Sequence, residues 1–140
     1  MLRRDFLTLT VSGFLVTGLS VQARAEGRVF YVPGLAEDAM ASGKVVLLDF
    51  WTNWCSTCAA QGRVVEDLRA ANPDYDRAIT FITVDWDQYA DGTLSKSLNI
   101  PRRSTLVAMK GQAEIGRIVA GTSKADIKAL LDAALAAATT

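Results

Sequence analysis

The two cysteines of the chain, Cys55 and Cys58, stand three residues apart, directly after an apolar run. If a helix begins at Cys55, both sulfurs lie on one face of its first turn, within the roughly 4.4–6.8 Å Cα separation of a disulfide. The unpaired N–H groups and the positive end of that helix favour an anion, so the Cys55 thiol should ionise readily. The thiolate is the nucleophile in thiol–disulfide exchange. The spacing therefore predicts a redox-active pair in which Cys55 attacks and the deeper Cys58 resolves the mixed disulfide.

Three other uses of this pair stay open. A purely structural disulfide would close a very short loop, and because stabilisation grows with loop length it would contribute little. Half of a zinc or iron–sulfur site would need a second chain, since the sequence has no other cysteine and no histidine. A metal- or cluster-binding dimer is therefore the main alternative from a different class. A binding module in which catalysis is incidental is the third.

The composition excludes several classes of function. The 140 residues include 15 basic and 15 acidic side chains, a formal net charge of zero. This balance gives no basic patch of the kind that nucleic-acid binding requires. The absence of histidine excludes an imidazole general base, the Ser–His–Asp triad and histidine-ligated metal centres. We expect no nucleic-acid partner, no bound metal and no small-molecule cofactor.

The first 25 residues have the pattern of an export signal. Arginines at positions 3 and 4 precede a mostly apolar, uncharged stretch from Phe6 to Val21, followed by the small-residue pattern at 23–25. The stretch is shorter than the roughly 18 residues of a membrane span, although an uncleaved anchor is the alternative. The paired arginines are typical of the twin-arginine route. The sequence therefore predicts cleavage after Ala25, a domain over 26–140, and a periplasmic location where disulfides persist.

Hydrophobic periodicity predicts the elements that position the cysteines. Strands are predicted at 28–32, 45–51, 79–84, 105–109 and 114–119, and helices at 35–42, 55–71, 91–98 and from Ser123 onward. Strands that alternate with helices predict one α/β domain, with helices on both faces of a central mixed sheet. The last two strands predict an antiparallel hairpin, and the final helix is amphipathic.

The string DFWTNWCSTC, from Asp49 to Cys58, resembles the thioredoxin superfamily, and the resemblance extends over residues 30–137. The chain is most similar to periplasmic thioredoxin-like reductases and to the C-terminal domain of the transmembrane disulfide reductase. The resemblance implies the thioredoxin fold and thiol:disulfide oxidoreductase activity, with Cys55 attacking, Cys58 resolving and Asp49 at the position of the superfamily's buried aspartate.

Asp49 is the only charged residue in its predicted strand, so burial should raise its pKa. A carboxylate with a raised pKa there could take the proton from Cys58 when Cys58 attacks the mixed disulfide. The alternative is that a neighbouring backbone or hydroxyl group merely satisfies it. Trp54, directly before Cys55, is expected to border the thiol.

The chain departs from the superfamily where a cis-proline usually faces the cysteines, in the pattern Ile-Pro-Thr. Here the sequence reads Ile-Pro-Arg-Arg-Ser-Thr from 100 to 105, and the count places Ser104 at that position, with Pro101 as the alternative. Because a non-proline cis bond costs ~2.5–4 kcal/mol, a trans bond before Ser104 is favoured. The serine hydroxyl could then bond the Cys55 sulfur. The predicted substrate groove consists of Trp54, Arg103, Ser104 and Thr105. Arg102 and Arg103 would flank it and favour acidic substrates or hold a thiolate, unless they only lie in a solvated loop.

The sequence thus predicts an exported oxidoreductase that reduces protein disulfides. The residues between the cysteines, Ser56 and Thr57, supply no charge, which places the potential toward the reducing side, near the ~−270 mV of thioredoxin. Reduction outside the cytoplasm would need a membrane thiol as electron donor. We expect a monomer, and a disulfide oxidant is the alternative direction.

Overall fold

The computed structural model describes residues 27–140. The predicted export signal and its cleavage site lie outside this range. The elements are α1 (Leu35–Ala41), β1 (Val45–Trp51), α2 (Ser56–Ala71), α3 (Asp74–Ala78), β2 (Ile79–Asp85), α4 (Trp86–Tyr89), α5 (Thr93–Ser97), β3 (Thr105–Lys110), β4 (Ala113–Val119) and α6 (Lys124–Ala138). Within the described residues, no helix is long and apolar enough to cross a bilayer.

The four strands form one mixed sheet in the order β2-β1-β3-β4. Strand β1 pairs parallel with β2 and antiparallel with β3, and β3 pairs antiparallel with β4. With neighbours on both sides, β1 is the central strand, which explains its almost continuous apolar sequence. In this register Asp49 lies between Thr83 of β2 and Leu106 of β3.

Helices cover both faces of the sheet, as the sequence predicts. The side chains of β1 alternate between two apolar clusters. Val46, Leu48 and Phe50 pack with α1 and α5 in one cluster. Val45 and Leu47 pack with α2, α3 and α6 in the other. By the same alternation Asp49 belongs to the second face, under the helix that carries the cysteines.

The predicted first strand is wrong as an extended strand. Only Phe30 pairs, as an isolated parallel bridge to Thr83 on the open edge of β2. Two backbone bonds, from Tyr31 N to Thr83 O and from Thr83 N to Val29 O, hold it there. Pro33 stops the ladder after these bonds because proline cannot donate one.

The predicted helix at 91–98 is also shorter than expected. The segment that follows β2 forms two short helices, α4 and α5, of which only α5 lies in the predicted range. Helix α4 begins because the Asp85 side chain accepts a hydrogen bond from Asp87 N, an N-cap at the end of the strand. Helix α3, which the sequence does not predict, begins directly after Asn72 and Pro73, where α2 ends.

Candidate active site

Cys55 occupies the N-cap position of α2, at the end of the turn that follows β1. Its backbone is extended, with φ −92° and ψ 116°, and its sulfur accepts a hydrogen bond from Cys58 N at 3.2 Å. This places Cys58 in the first turn of α2, fully buried, whereas Cys55 is 7% exposed. Both thiols are free. The sequence therefore predicts this geometry correctly, with the helix beginning one residue later than expected.

Ser104 lies against both sulfurs. Its Oγ is 3.1 Å from Cys55 Sγ and 3.0 Å from Cys58 Sγ. The residue is fully buried and its backbone is in the left-handed region, with φ 61°. The backbone is fixed by bonds from Ser104 N to Phe50 O, at 2.7 Å, and from Ala120 N to Ser104 O, at 2.8 Å. A single hydroxyl thus bridges the two cysteines.

A buried glutamine, which the sequence did not single out, supports this loop. Gln61 of α2 is fully buried, and its Nε2 donates to Ser104 O and to Gly121 O, both at 2.9 Å. It ties the cysteine-bearing helix to the loops before β3 and after β4. Its place one turn beyond Cys58, on the same helix face, is the signal that could have identified it.

The environment shifts the two thiols in opposite directions. Burial raises the pKa of Cys55, but hydrogen bonds from Cys58, Ser104 and Arg103 outweigh it and bring that pKa to about 6. Burial, together with the neighbouring Cys55 sulfur, raises the pKa of Cys58. At neutral pH the reduced pair therefore holds one proton, on Cys58. The Ser104 hydroxyl can then donate to the Cys55 thiolate, and its oxygen lies 3.0 Å from Cys58 Sγ, a contact in which either atom could be the donor.

Asp49 forms an ion pair with Arg28, a residue of the first predicted strand for which the sequence indicates no partner. Arg28 Nη1 lies 2.8 Å from Asp49 Oδ2 and 3.2 Å from Thr83 Oγ1. The guanidinium carbon is 4.9 Å from the centre of the Trp51 ring. Among the described residues, neither a backbone group nor a hydroxyl hydrogen-bonds to Asp49, and its buried Oδ1 has no partner, so that alternative is wrong. Arg28 is 21 residues away in sequence, and no local pattern points to the pairing.

Burial raises the pKa of Asp49, as the sequence predicts, and Arg28 opposes the rise. In the described part of the structure Asp49 hydrogen-bonds to Arg28 and to neither cysteine. The carboxylate borders a cavity of about 70 Å³, whose lining includes Gly62 and Glu66 of α2. A Cβ on Gly62 would lie 2.7 Å from Arg28 Nη2, so a glycine at this position of α2 leaves room for the guanidinium.

The outer side of the site carries Trp54 and Arg103. Trp54 is 59% exposed, and its Nε1 donates to Asp87 Oδ2 at 2.8 Å. Arg103 Cζ lies 4.3 Å from the centre of the Trp54 ring, and its Nε is buried with no hydrogen-bond partner among the described residues. Arg103 is thus held against the site and is not a freely solvated side chain. Asp87, which the sequence did not single out, holds the Trp54 ring on which Arg103 lies.

Comparison with known proteins identifies the family. The thioredoxin family model matches residues 35–133. A thioredoxin from Mycolicibacterium smegmatis is 31% identical over 70% of this chain and 85% of its own length. A thioredoxin H-type from Brassica campestris is 30% identical over 66% of this chain and 70% of its own. Among solved structures, Trxlp from Edwardsiella tarda superposes with a TM-score of 0.63 at 28% identity, over 74% of this chain and 97% of that one. The chain belongs to the thioredoxin family.

This thioredoxin-family protein is a thiol:disulfide oxidoreductase with an α/β thioredoxin fold, which confirms the resemblance read from its sequence. Thioredoxins act on protein disulfides, and the free pair Cys55 and Cys58 supplies that chemistry here. No group of three or more metal-binding side chains occurs within residues 27–140.

At the position where thioredoxins usually carry a proline, this member presents Ser104 to the sulfurs, while Pro101 is exposed. The described residues contain no cis peptide bond, so the bond that precedes Ser104 is trans, as the cost of a non-proline cis bond favours. Thr105, grouped with the predicted groove, is fully buried, and its hydroxyl donates to Arg102 O at 2.7 Å. It is therefore not presented to a substrate in this structure.

Proposed function

We propose that this protein is an exported oxidoreductase that reduces protein disulfides, with Cys55 as the attacking and Cys58 as the resolving residue. The observation that carries the proposal is the pair of free sulfurs on one buried serine hydroxyl, with the Cys55 pKa at about 6. At neutral pH Cys55 is then mostly thiolate, the form that attacks. Cys58 keeps its proton until the mixed disulfide has formed.

The exchange proceeds in two displacements. The Cys55 thiolate attacks one sulfur of the substrate disulfide, forms a mixed disulfide and releases the other substrate sulfur as a thiolate. Cys58 then loses its proton and attacks Cys55 Sγ, which releases the second substrate sulfur. The substrate gains two electrons as the Cys55–Cys58 disulfide forms, with one proton from Cys58 and the second from solvent. The acid–base role predicted for Asp49 stays a prediction, since Asp49 touches neither sulfur.

Trapping tests the order of attack. In Cys58→Ala the mixed disulfide should persist, because no thiol remains to resolve it, and mass spectrometry of captured adducts would identify the substrates. Cys55→Ala is the matched control and should capture nothing. If neither variant forms adducts with proteins of the same compartment, exchange is not the function. Zinc or a coloured cluster in an anaerobically purified dimer would instead favour the metal-binding alternative.

The thiol chemistry supports the reducing direction. A Cys55 pKa of about 6 is closer to the roughly 7 of thioredoxin than to the roughly 3.5 of the strongly oxidising periplasmic enzyme. Since a more stable thiolate makes the disulfide a stronger oxidant, this comparison predicts a potential near that of thioredoxin. Equilibration with glutathione buffers measures it, and a value above about −150 mV would make the protein an oxidant.

The location rests on the first 25 residues, whose pattern supports export and cleavage after Ala25. A reductase in the periplasm needs electrons from outside that compartment, so the proposal includes a membrane thiol donor. The proposed enzyme is a monomer. Fractionation of expressing cells, with mass spectrometry of the mature chain, tests the location. The expected product begins at Glu26, and a full-length chain retained in the cytoplasm would overturn the export proposal.

A further inference from the structure

The buried hydroxyl between the sulfurs has a role that positioning alone does not explain. Ser104 Oγ is within hydrogen-bonding distance of both cysteines, 3.1 Å from Cys55 and 3.0 Å from Cys58. Ser104 is fully buried, so its hydroxyl has no direct access to bulk water. We propose that Ser104 is a catalytic residue, a proton relay that carries the Cys58 proton to the departing substrate sulfur. This inference rests on the proposed exchange through the mixed disulfide.

Ser104 is the group placed to receive that proton. Within residues 27–140, Cys58 Sγ lies 3.0 Å from Ser104 Oγ, a contact in which either atom can donate, whereas the carboxylate of Asp49 is bonded to Arg28. A hydroxyl has one proton to give and lone pairs to accept another. It can therefore accept from one sulfur while it donates to the other, which a proline at this position could not do.

The relay balances in the second displacement. Cys58 Sγ forms the S–S bond to Cys55 Sγ, and the bond between Cys55 and the substrate sulfur breaks, with its electron pair going to the substrate. The Cys58 proton passes to Ser104 Oγ while the Ser104 hydroxyl proton passes to the leaving sulfur, which departs as a thiol. Serine ends the step unchanged. No oxidant or base beyond the substrate disulfide is required.

The surrounding structure holds the hydroxyl in place. Ser104 has a φ of 61°, a conformation that residues other than glycine adopt infrequently. Phe50 O, Ala120 N and the buried Gln61 side chain bond its backbone on both sides. Strained backbone that is fixed this firmly is characteristic of functional sites. The loop therefore fixes the oxygen against both sulfurs.

Two variants separate the hydroxyl from the backbone. Ser104→Ala removes the oxygen and keeps the Cβ, whereas Ser104→Gly removes the oxygen and also suits the positive φ. We expect both to slow resolution of the mixed disulfide by roughly a hundredfold, the lower end of acid–base effects. Rapid chemical quench with mass spectrometry would follow the mixed disulfide, and its decay in H₂O and D₂O would report the proton transfer. The solvent isotope effect should diminish in both variants.

Ser95→Ala is the matched control, because Ser95 is a buried serine whose hydroxyl donates to Tyr89 O. It should resolve at the wild-type rate. If Ala and Gly at 104 also resolve at that rate with an unchanged isotope effect, the relay is wrong. If Ala is slow and Gly is fast, backbone geometry and not the hydroxyl is responsible, which also overturns it. A wild-type protein that forms no mixed disulfide at all would instead contradict the proposed function.

Discussion

Two polar groups flank the cysteine motif, and they differ in what they touch. On one side Ser104 is uncharged, fully buried and in contact with both sulfurs. On the other side Asp49 and Arg28 form an ion pair, retain 13% and 27% side-chain exposure, and hydrogen-bond to neither sulfur among the described residues. The neutral group can exchange protons directly with the reacting atoms. The ion pair has no direct hydrogen bond to the reacting atoms among the described residues.

Each side also has an arginine on a tryptophan of the motif. Arg28 lies over Trp51 on the face of the sheet covered by α2, and Arg103 lies over Trp54 beside the nucleophile. Such stacks contribute about 0.5–1 kcal/mol at exposed sites. The same device thus positions one cation near the buried carboxyl and the other near the thiolate. Substitutions on each side of the motif test this difference.

The largest expected effect is on the pH dependence of stability. Burial raises the pKa of Asp49 in the folded state. In the pH window between the ordinary pKa of an aspartate and this raised pKa, the folded chain therefore binds more protons than the unfolded chain. Stability therefore falls as pH rises through that window, with a slope of at most about 1.4 kcal/mol per pH unit. Asp49→Asn should remove this fall. Urea unfolding of the oxidised protein between pH 4 and pH 8 measures it.

The matched control is Asp67→Asn, an exposed aspartate on α2, which should keep the wild-type slope. Arg28→Gln removes the cation that opposes the pKa rise, so the window should extend to higher pH. A wild-type slope in Asp49→Asn would show that the carboxyl is not the group that titrates.

A smaller effect is expected where α2 makes room for Arg28. Gly62→Ala gains about 1 kcal/mol of helix propensity, but its Cβ would meet Arg28 Nη2 at 2.7 Å and displace the guanidinium from Asp49. We expect near-neutral stability in the wild-type background and a gain of about 1 kcal/mol in Arg28→Ala. A double-mutant cycle by urea unfolding measures this coupling. Equal gains in both backgrounds would show that the glycine does not support the ion pair.

The parts that the sequence predicted are those encoded locally. The apolar run of β1 predicts a buried strand, and the placement of Cys55 after it predicts a helix start at this cysteine, within one residue of the observed one, and the buried second cysteine. The sequence predicts a helix from Ser123 onward, and in the structure Ser123 is the N-cap of α6, with its side chain accepting a hydrogen bond from Asp126 N. Each of these features depends on neighbours within one or two turns.

The parts that it missed depend on distant contacts. Arg28 reaches Asp49 across the sheet edge, and a basic residue in a β-prone run is normally solvent-exposed. For Ser104 the sequence left two registers open, because the decision lies in a bond from Ser104 N to Phe50 O, 54 residues earlier in the chain. Such pairings become visible only once the strands are assembled.

The smallest expected effect concerns Arg103, the last of the groups that favour the Cys55 thiolate. Because its guanidinium lies on Trp54, the positive charge of Arg103 should stabilise the Cys55 thiolate by a small amount. Alkylation of the wild-type thiol should rise with a midpoint near pH 6. Arg103→Gln should raise the pKa of Cys55 by about 0.5, which lowers the alkylation rate at pH 6 about twofold. Iodoacetamide labelling followed by mass spectrometry measures both.

Arg102→Gln is the control for this effect, since Arg102 is exposed and donates to the backbone of Arg103, not to either sulfur. Its midpoint should stay at the wild-type value. If both variants shift the midpoint equally, the loop acts through its total charge, and the stack on Trp54 has no specific role. If only Arg103→Gln shifts the midpoint, the Arg103 guanidinium on Trp54 specifically stabilises the Cys55 thiolate. The other cation beside the motif, Arg28, is paired with Asp49 instead.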